Sequence, residues 1–239
     1  MNFLDGQILT FDKAYGITSF GLVAKVRWLI TQRMGGRKIK VGHAGTLDPL
    51  ATGVMVICTG RATKEIDRLQ TGVKEYEATL QLGATTPSFD LEHEVDATYP
   101  TEHITREEIE RVLQTFVGEI MQVPPAFSAC KVQGKRAYDM ARKGENVELQ
   151  AKPLHIDEIS LTHCDLDKMQ ISIRVVCSKG TYIRALARDI GEALHSGAHL
   201  TALRRTRVGE YAIQDCLTLE QFEYWLNQIE VETEPTPRT

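Results

Sequence analysis

The chain has 239 residues, 42% of them hydrophobic and 25% charged, with a formal net charge of -4; that is enough for one large domain or two modest ones around a packed core. No apolar run approaches the roughly 20 residues of a membrane span, and the opening MNFLDGQILTF has no basic segment ahead of an apolar one, so neither membrane insertion nor export is expected. The five cysteines, Cys58, Cys130, Cys164, Cys177 and Cys216, are scattered without a CxxC pair, which argues against a disulfide framework or a zinc site and for a reducing cytoplasm.

In chain order, QILTFDK alternates as a strand and meets a turn at Tyr15-Gly16. A helix capped by Thr18 or Ser19 follows, with Leu22, Val23, Val26, Leu29 and Ile30 at helical spacing, ending before Gly35-Gly36. Residues 35 to 53 are glycine-rich and Pro49 breaks any regular element, after which GVMVIC reads as a short buried strand. EYEATLQLG alternates as a strand, TREEIERVLQTFVG fits an amphipathic helix, and KRAYDMARKG predicts a short helix ending at Gly144. ISLTHCDLDKMQISIRVVC predicts two antiparallel strands joined near Asp165 to Lys168, TYIRALARDIGEALHSG a helix, and LRRTRVGEYAI an extended segment. The order is not a βαβ repeat; it predicts an α+β class with a mixed, largely antiparallel sheet and flanking helices. Residues 1–230 read as one domain and 231–239 as a disordered tail.

The small net charge hides a segregation of sign. Between Lys13 and Lys64 nine bases (Lys13, Lys25, Arg27, Arg33, Arg37, Lys38, Lys40, Arg61, Lys64) face one acid, Asp48. A second block, Arg174 to Arg207, sets seven bases against Asp189 and Glu192. Asp90 to Glu110 and the segment from Asp215 onward hold the compensating acids. Two basic blocks point toward a polyanionic partner, although each run alone is also what a solvated helix face looks like. No phosphate-binding loop, dinucleotide fingerprint or H-E-x-x-H is present. His195 and His199 are four apart, yet no carboxylate completes a set, so surface histidines at a helix end are expected rather than a metal site.

Asp48 is an unaccompanied carboxylate among cations. An ordinary aspartate is ionised at neutral pH and suits a nucleophile or general base better than the paired-carboxylate chemistry of glycosidases. Asp before Pro also serves as a turn cap, and residue type alone leaves both roles open. Tyr76 on a predicted strand and Tyr182 at a predicted helix start are candidates for stacking on a base, or for ordinary packing; Arg184 is a candidate for phosphate or carboxylate pairing.

Taken together, GHAGTLDPLATGVMVICTGRATK, KEYEATLQLG, PPAFSACKVQGKRAYDMARKG and CSKGTYIRALARDIG resemble the TruB family of tRNA pseudouridine synthases, over about residues 11 to 210. The resemblance implies the pseudouridine synthase fold with a basic RNA-binding cleft, and conversion of the uridine at position 55 in the T loop of tRNA to pseudouridine without metal or organic cofactor. It makes Asp48 the catalytic aspartate, attacking an extruded nucleotide while the base detaches, turns and rejoins through C5. Tyr76 would lie against the target base and help in proton transfer, Arg184 would pair with Asp48 or an RNA phosphate, and His43 would fill the space vacated by extruded nucleotides. Tyr182 and Leu203 would complete the pocket, with Lys64 and Lys13 supporting it or contacting RNA backbone. The implied partner is the tRNA T arm, bound by a monomer needing no protein partner and no membrane.

Three departures from the family pattern stand out. Ala14 replaces a usual proline, and Pro87, Ser88 and His93 interrupt a segment that usually runs Thr-Asp-Thr. About 30 residues follow Gly209, too few for the further RNA-binding domain of the PUA type that bacterial relatives often have, so none is expected. A different class of function, a tRNA-folding chaperone acting on the T loop, is distinguished by Asp48: a pure binder would tolerate its loss.

Overall fold

The structure, a computed structural model, describes residues 1–128, 130–132, 135–136, 140 and 149–236. The chain divides into two compact units, residues 1–75 with 204–239, and residues 76–203. The strands Lys74–Leu82 and Ala198–Val208 carry the chain across the division.

In the first unit the strand Ile8–Lys13 pairs antiparallel with Thr52–Thr59, from Ile8 opposite Cys58 to Lys13 opposite Gly53. Every residue of Thr52–Thr59 after Thr52 is buried, as the continuous apolar run GVMVIC predicts. Its first residues also pair parallel with Arg204 and Arg205, so Gly53 lies between Lys13 and Arg205. A short strand, Val41–His43, pairs antiparallel with the same strand inside the segment where glycine content predicts no regular element. Three residues are too few for a periodic signal.

The helix Ser19–Arg33 starts where its capping chemistry predicts: the Thr18 hydroxyl accepts from Gly21 N at 2.9 Å. Its buried residues Leu22, Val23, Val26, Leu29 and Ile30 are those of the helical stripe. A further helix, Leu219–Gln228, opens with a capping box between Thr218 and Gln221 and buries Phe222 edge-on against Phe11, ring centres 5.1 Å apart.

Residues 231–236, part of the segment that composition predicts as a disordered tail, carry several hydrogen bonds in the structure. Glu232 N donates to Met1 O at 3.0 Å, the Asn2 side chain donates to Glu234 O at 2.8 Å, and Arg37 and Arg61 donate to the carbonyls of Thr233 and Thr236. Backbone pairing with the N-terminus offsets the lack of apolar side chains.

In the second unit the strands run in the order Lys74–Leu82, Gln170–Cys177, Lys152–Asp165, Gly118–Gln122, the last three antiparallel to one another. The turn joining the two long strands falls at 166–169, overlapping the predicted junction at Asp165 to Lys168 and one residue beyond it. The helices Arg106–Gln114 and Ile183–Ala193 supply Ile109, Val112, Leu113, Leu186 and Ile190 to one apolar core with Leu80, Ile171, Ile173 and Val175. The class is α+β with a mixed, largely antiparallel sheet, as the sequence predicts. Of the predicted helix KRAYDMARKG, Lys135 and Arg136 form a strand pair with Lys131 and Val132, and most of the remainder lies outside the described residues.

Candidate active site

The loop that follows the strand Val41–His43 brings Asp48 to a partly exposed position. Its neighbours in sequence are held by side chains from outside the loop. The Ser19 hydroxyl, in the first turn of its helix, accepts from Leu47 N and donates to Leu47 O, both at 2.8 Å. Lys13, 0% exposed at the end of its strand, donates from Nζ to the carbonyls of Ile17 at 2.7 Å, Ala14 at 3.0 Å and Pro49 at 3.3 Å. Ala14, where a proline would be usual, thus has a carbonyl fixed by the preceding side chain. Arg205, 2% exposed, donates to Val54 O at 2.8 Å, Gly45 O at 3.2 Å and Thr46 O at 3.3 Å.

Burial drives the electrostatics around this loop. It pushes the Lys13 ammonium down to about 8; the Asp48 carboxylate opposes that shift and the Arg205 charge adds to it. Burial, reinforced by Arg205, also holds the His43 imidazole below its ordinary value, so the ring is neutral at physiological pH. His43 Nδ1 is buried with no hydrogen-bond partner. A neutral, partly buried ring beside a loop is suited to contact with an uncharged flat surface such as a base.

For Lys13 the sequence offers support of the pocket or contact with RNA backbone; in the structure its ammonium group is buried and donates to three carbonyls. Lys64, in the 3-10 turn Gly60–Glu65, is exposed and remains open to a phosphate.

In the second unit Tyr76 occupies the inward register of its strand with Ala78, Leu80 and Leu82, and is 8% exposed in the apolar core. Leu203 packs against that core. Tyr182 caps the helix Ile183–Ala193, and Gln122 grips its backbone twice: Tyr182 N donates to Oε1 at 2.9 Å and Nε2 donates to Tyr182 O at 3.2 Å. Its hydroxyl meets Cys130 Sγ at 3.3 Å, and burial together with this contact pushes the phenol's pKa up, so it stays protonated.

Arg184 is 5% exposed and donates to Phe127 O at 2.9 Å and Ser88 O at 3.2 Å, with Asp90 Oδ2 3.7 Å from Nε. The sequence makes Arg184 a candidate for pairing with Asp48 or an RNA phosphate; the contacts described here are to two carbonyls and to Asp90. Ser88, one of the residues that interrupts the family pattern, contributes its carbonyl here, so the unusual segment has a structural use.

His195 and His199 do not share a helix face: the helix ends at Ala193, His195 is exposed at a φ of 52°, and His199 is buried on the following strand with Nδ1 3.0 Å from Ala84 O. Among the described residues no group of three or more metal-ligating side chains is found. Ser19 and Arg205 were not singled out by sequence; a serine at a helix start reads as a cap, and Arg205 stands beside another arginine.

The chain matches the model of the TruB family pseudouridylate synthase N terminal domain over residues 32–183, and that of a tRNA pseudouridylate synthase B C-terminal domain over 184–235. It is 68% identical over 232 residues to a tRNA pseudouridine synthase B of Phocaeicola vulgatus, covering 97% of this chain and 98% of that protein. A tRNA pseudouridine synthase B of Bacteroides fragilis is 65% identical over 232 residues, covering 97% and 99%. Among solved structures, a Cbf5-Nop10-Gar1 complex aligns with a TM-score of 0.68 at 28% identity, over 93% of this chain and 55% of that one.

Proposed function

The chain belongs to the TruB family of pseudouridylate synthases, and from that premise we propose that it isomerises uridine to pseudouridine at position 55 in the T loop of tRNA, with Asp48 as nucleophile. The observation that supports Asp48 is its setting: a partly exposed carboxylate on a loop whose backbone is tied down on both sides, beside a buried cation. The backbone groups on either side of it have named partners, Leu47 through the Ser19 hydroxyl and the Pro49 carbonyl through Gly16 N and Lys13.

In this reading the uridine is extruded from the RNA, at a cost of a few kcal/mol that pocket contacts and phosphate contacts must offset. His43, neutral through burial, enters the vacated space without bringing a charge among bases. Tyr76 packs on the uracil, and its hydroxyl is the candidate for moving the proton at C5. The protonated Tyr182 ring and Leu203 wall the base, which must be held while it is detached and turned. Arg184 is assigned as a charged group of the reaction, oriented by Asp90 and the carbonyls of Ser88 and Phe127. Lys64 is assigned to RNA backbone. No step requires a metal or an organic cofactor, and the enzyme is assigned as a cytoplasmic monomer.

The decisive experiment is single-turnover reaction of purified Asp48→Asn with unmodified tRNA, with product located by mass or chemical mapping. The expected result is tRNA affinity close to wild type and no product. Substantial pseudouridine formed by the pure variant would overturn the assignment.

A further inference from the structure

Five consecutive carbonyls around the reactive carboxylate each have a named donor. Gly45 O and Thr46 O accept from the two terminal nitrogens of Arg205, at 3.2 and 3.3 Å, and Leu47 O accepts from Ser19 at 2.8 Å. Asp48 O accepts from Ala51 N at 3.1 Å, and Pro49 O from Gly16 N at 2.9 Å and Lys13 Nζ at 3.3 Å. Loops of this composition normally leave such carbonyls to water. Three of the donors, moreover, are side chains contributed by a helix and two strands of the same unit.

We propose that Ser19 and Arg205 are positioning residues for the reaction, fixing the loop so that the Asp48 carboxylate meets the extruded nucleotide in line. Neither touches the nucleotide. Ser19 fixes the residue before Asp48 through both its N–H and its C=O, which leaves that peptide little room to rotate. Arg205 ties the loop entrance at Gly45 and Thr46 to the strand that leaves it, at Val54, so that the two stems cannot separate. Its fork matters as much as its charge: three carbonyls on two segments are met by one planar group, which a lysine cannot reproduce. Positional errors near 1 Å at a reacting group lower rates by about 100-fold, so a clamp of this kind acts on the chemical step and not on RNA affinity.

The inference rests on Asp48 being the nucleophile, and the test separates the two. Ser19→Ala, Ser19→Thr and Arg205→Lys are compared with wild type in single-turnover assays at saturating enzyme, well below each variant's unfolding midpoint, with tRNA affinity measured in parallel. Ser19→Ala and Arg205→Lys are expected to react about 10- to 100-fold more slowly with tRNA affinity within about twofold of wild type, and Ser19→Thr, which keeps the hydroxyl, to recover most of the rate. Wild-type rates in folded Ser19→Ala and Arg205→Lys would overturn the proposal, as would a loss confined to affinity. Should Arg205→Lys fail to fold, the rate of Ser19→Ala decides alone. Activity in Asp48→Asn would instead overturn the nucleophile assignment, whatever the serine and arginine variants show.

Discussion

Replacing Gly53 by alanine tests the packing on which the candidate site stands. Gly53 has a φ of +108°, and a Cβ built there would lie 2.1 Å from Arg205 O and 2.7 Å from Arg205 N. Both obstructing atoms are backbone, so no rotamer change relieves them. The conformation costs an L-residue about 1–3 kcal/mol, and forcing a methyl group into filled space adds about 1–3 kcal/mol. A loss near 4 kcal/mol is a large part of the roughly 5–15 kcal/mol that holds a domain folded. At about 2–4 °C per kcal/mol for a chain of this size, the unfolding midpoint should fall by roughly 8–16 °C. Gly35→Ala is the control: its φ is +64° but nothing lies within 4 Å of the added atom, so only strain of about 1 kcal/mol is expected. Thermal unfolding followed by circular dichroism reads both. A Gly53→Ala midpoint within about 2 °C of the Gly35→Ala control would refute the reasoning, because it would mean that the two strands separate freely at this point. Since Gly53 pairs with Lys13 on one side and Arg205 on the other, single-turnover rate should fall as well, even at temperatures where the variant is fully folded.

Lys64→Ala should lower the salt dependence of tRNA binding by about one unit of slope, whereas Lys13→Met should leave the slope unchanged, as only the exposed lysine can release a counterion from RNA; filter binding from low to moderate salt reads both, and the reverse pattern would contradict the placement of the two side chains. The Lys13 charge, held against Asp48 and the Pro49 carbonyl, is lost as pH rises through about 8, so single-turnover rate should decline above that pH. Stability should move the other way: with a native pKa near 8 and an unfolded value near 10.5, the unfolded chain binds more protons between them, so this group's contribution rises with pH across that window. A rate that stays flat to pH 9.5, or a stability contribution that falls between 8 and 10.5, would count against the buried ammonium.

Strong periodicity is what made most of the fold legible. The strand Lys74–Leu82 alternates, and the helix Ser19–Arg33 presents its buried stripe at helical spacing behind a threonine cap, because in both cases one face packs on a core. What lacked a period was missed. Val41–His43 forms a strand only because Thr52–Thr59 offers it an edge, and Leu219–Gln228 was announced by nothing longer than the T-L-E-Q capping box. At the site, Asp48 was conspicuous as the single acid in a basic window. The residues that hold its loop were not, since their hydrogen bonds go to backbone carbonyls, and a carbonyl has no signature in sequence.

Adjacent arginines show how far charge counting goes. Arg204 and Arg205 are indistinguishable by type and sit in the same basic block, yet successive side chains on a strand point to opposite faces. Arg204 is partly exposed and pairs with Asp12, whose carboxylate lies 2.8 Å away, while Arg205 is enclosed and serves three carbonyls. Lys13 and Arg184 are likewise buried. Several of the cations that suggested a polyanion are therefore internal fastenings and contribute no counterion release. The salt slope for tRNA should fall well short of the number of bases in the two blocks, and the shortfall should come from the buried members: neutralising an exposed lysine should change affinity, neutralising a buried cation should change the rate or the fold.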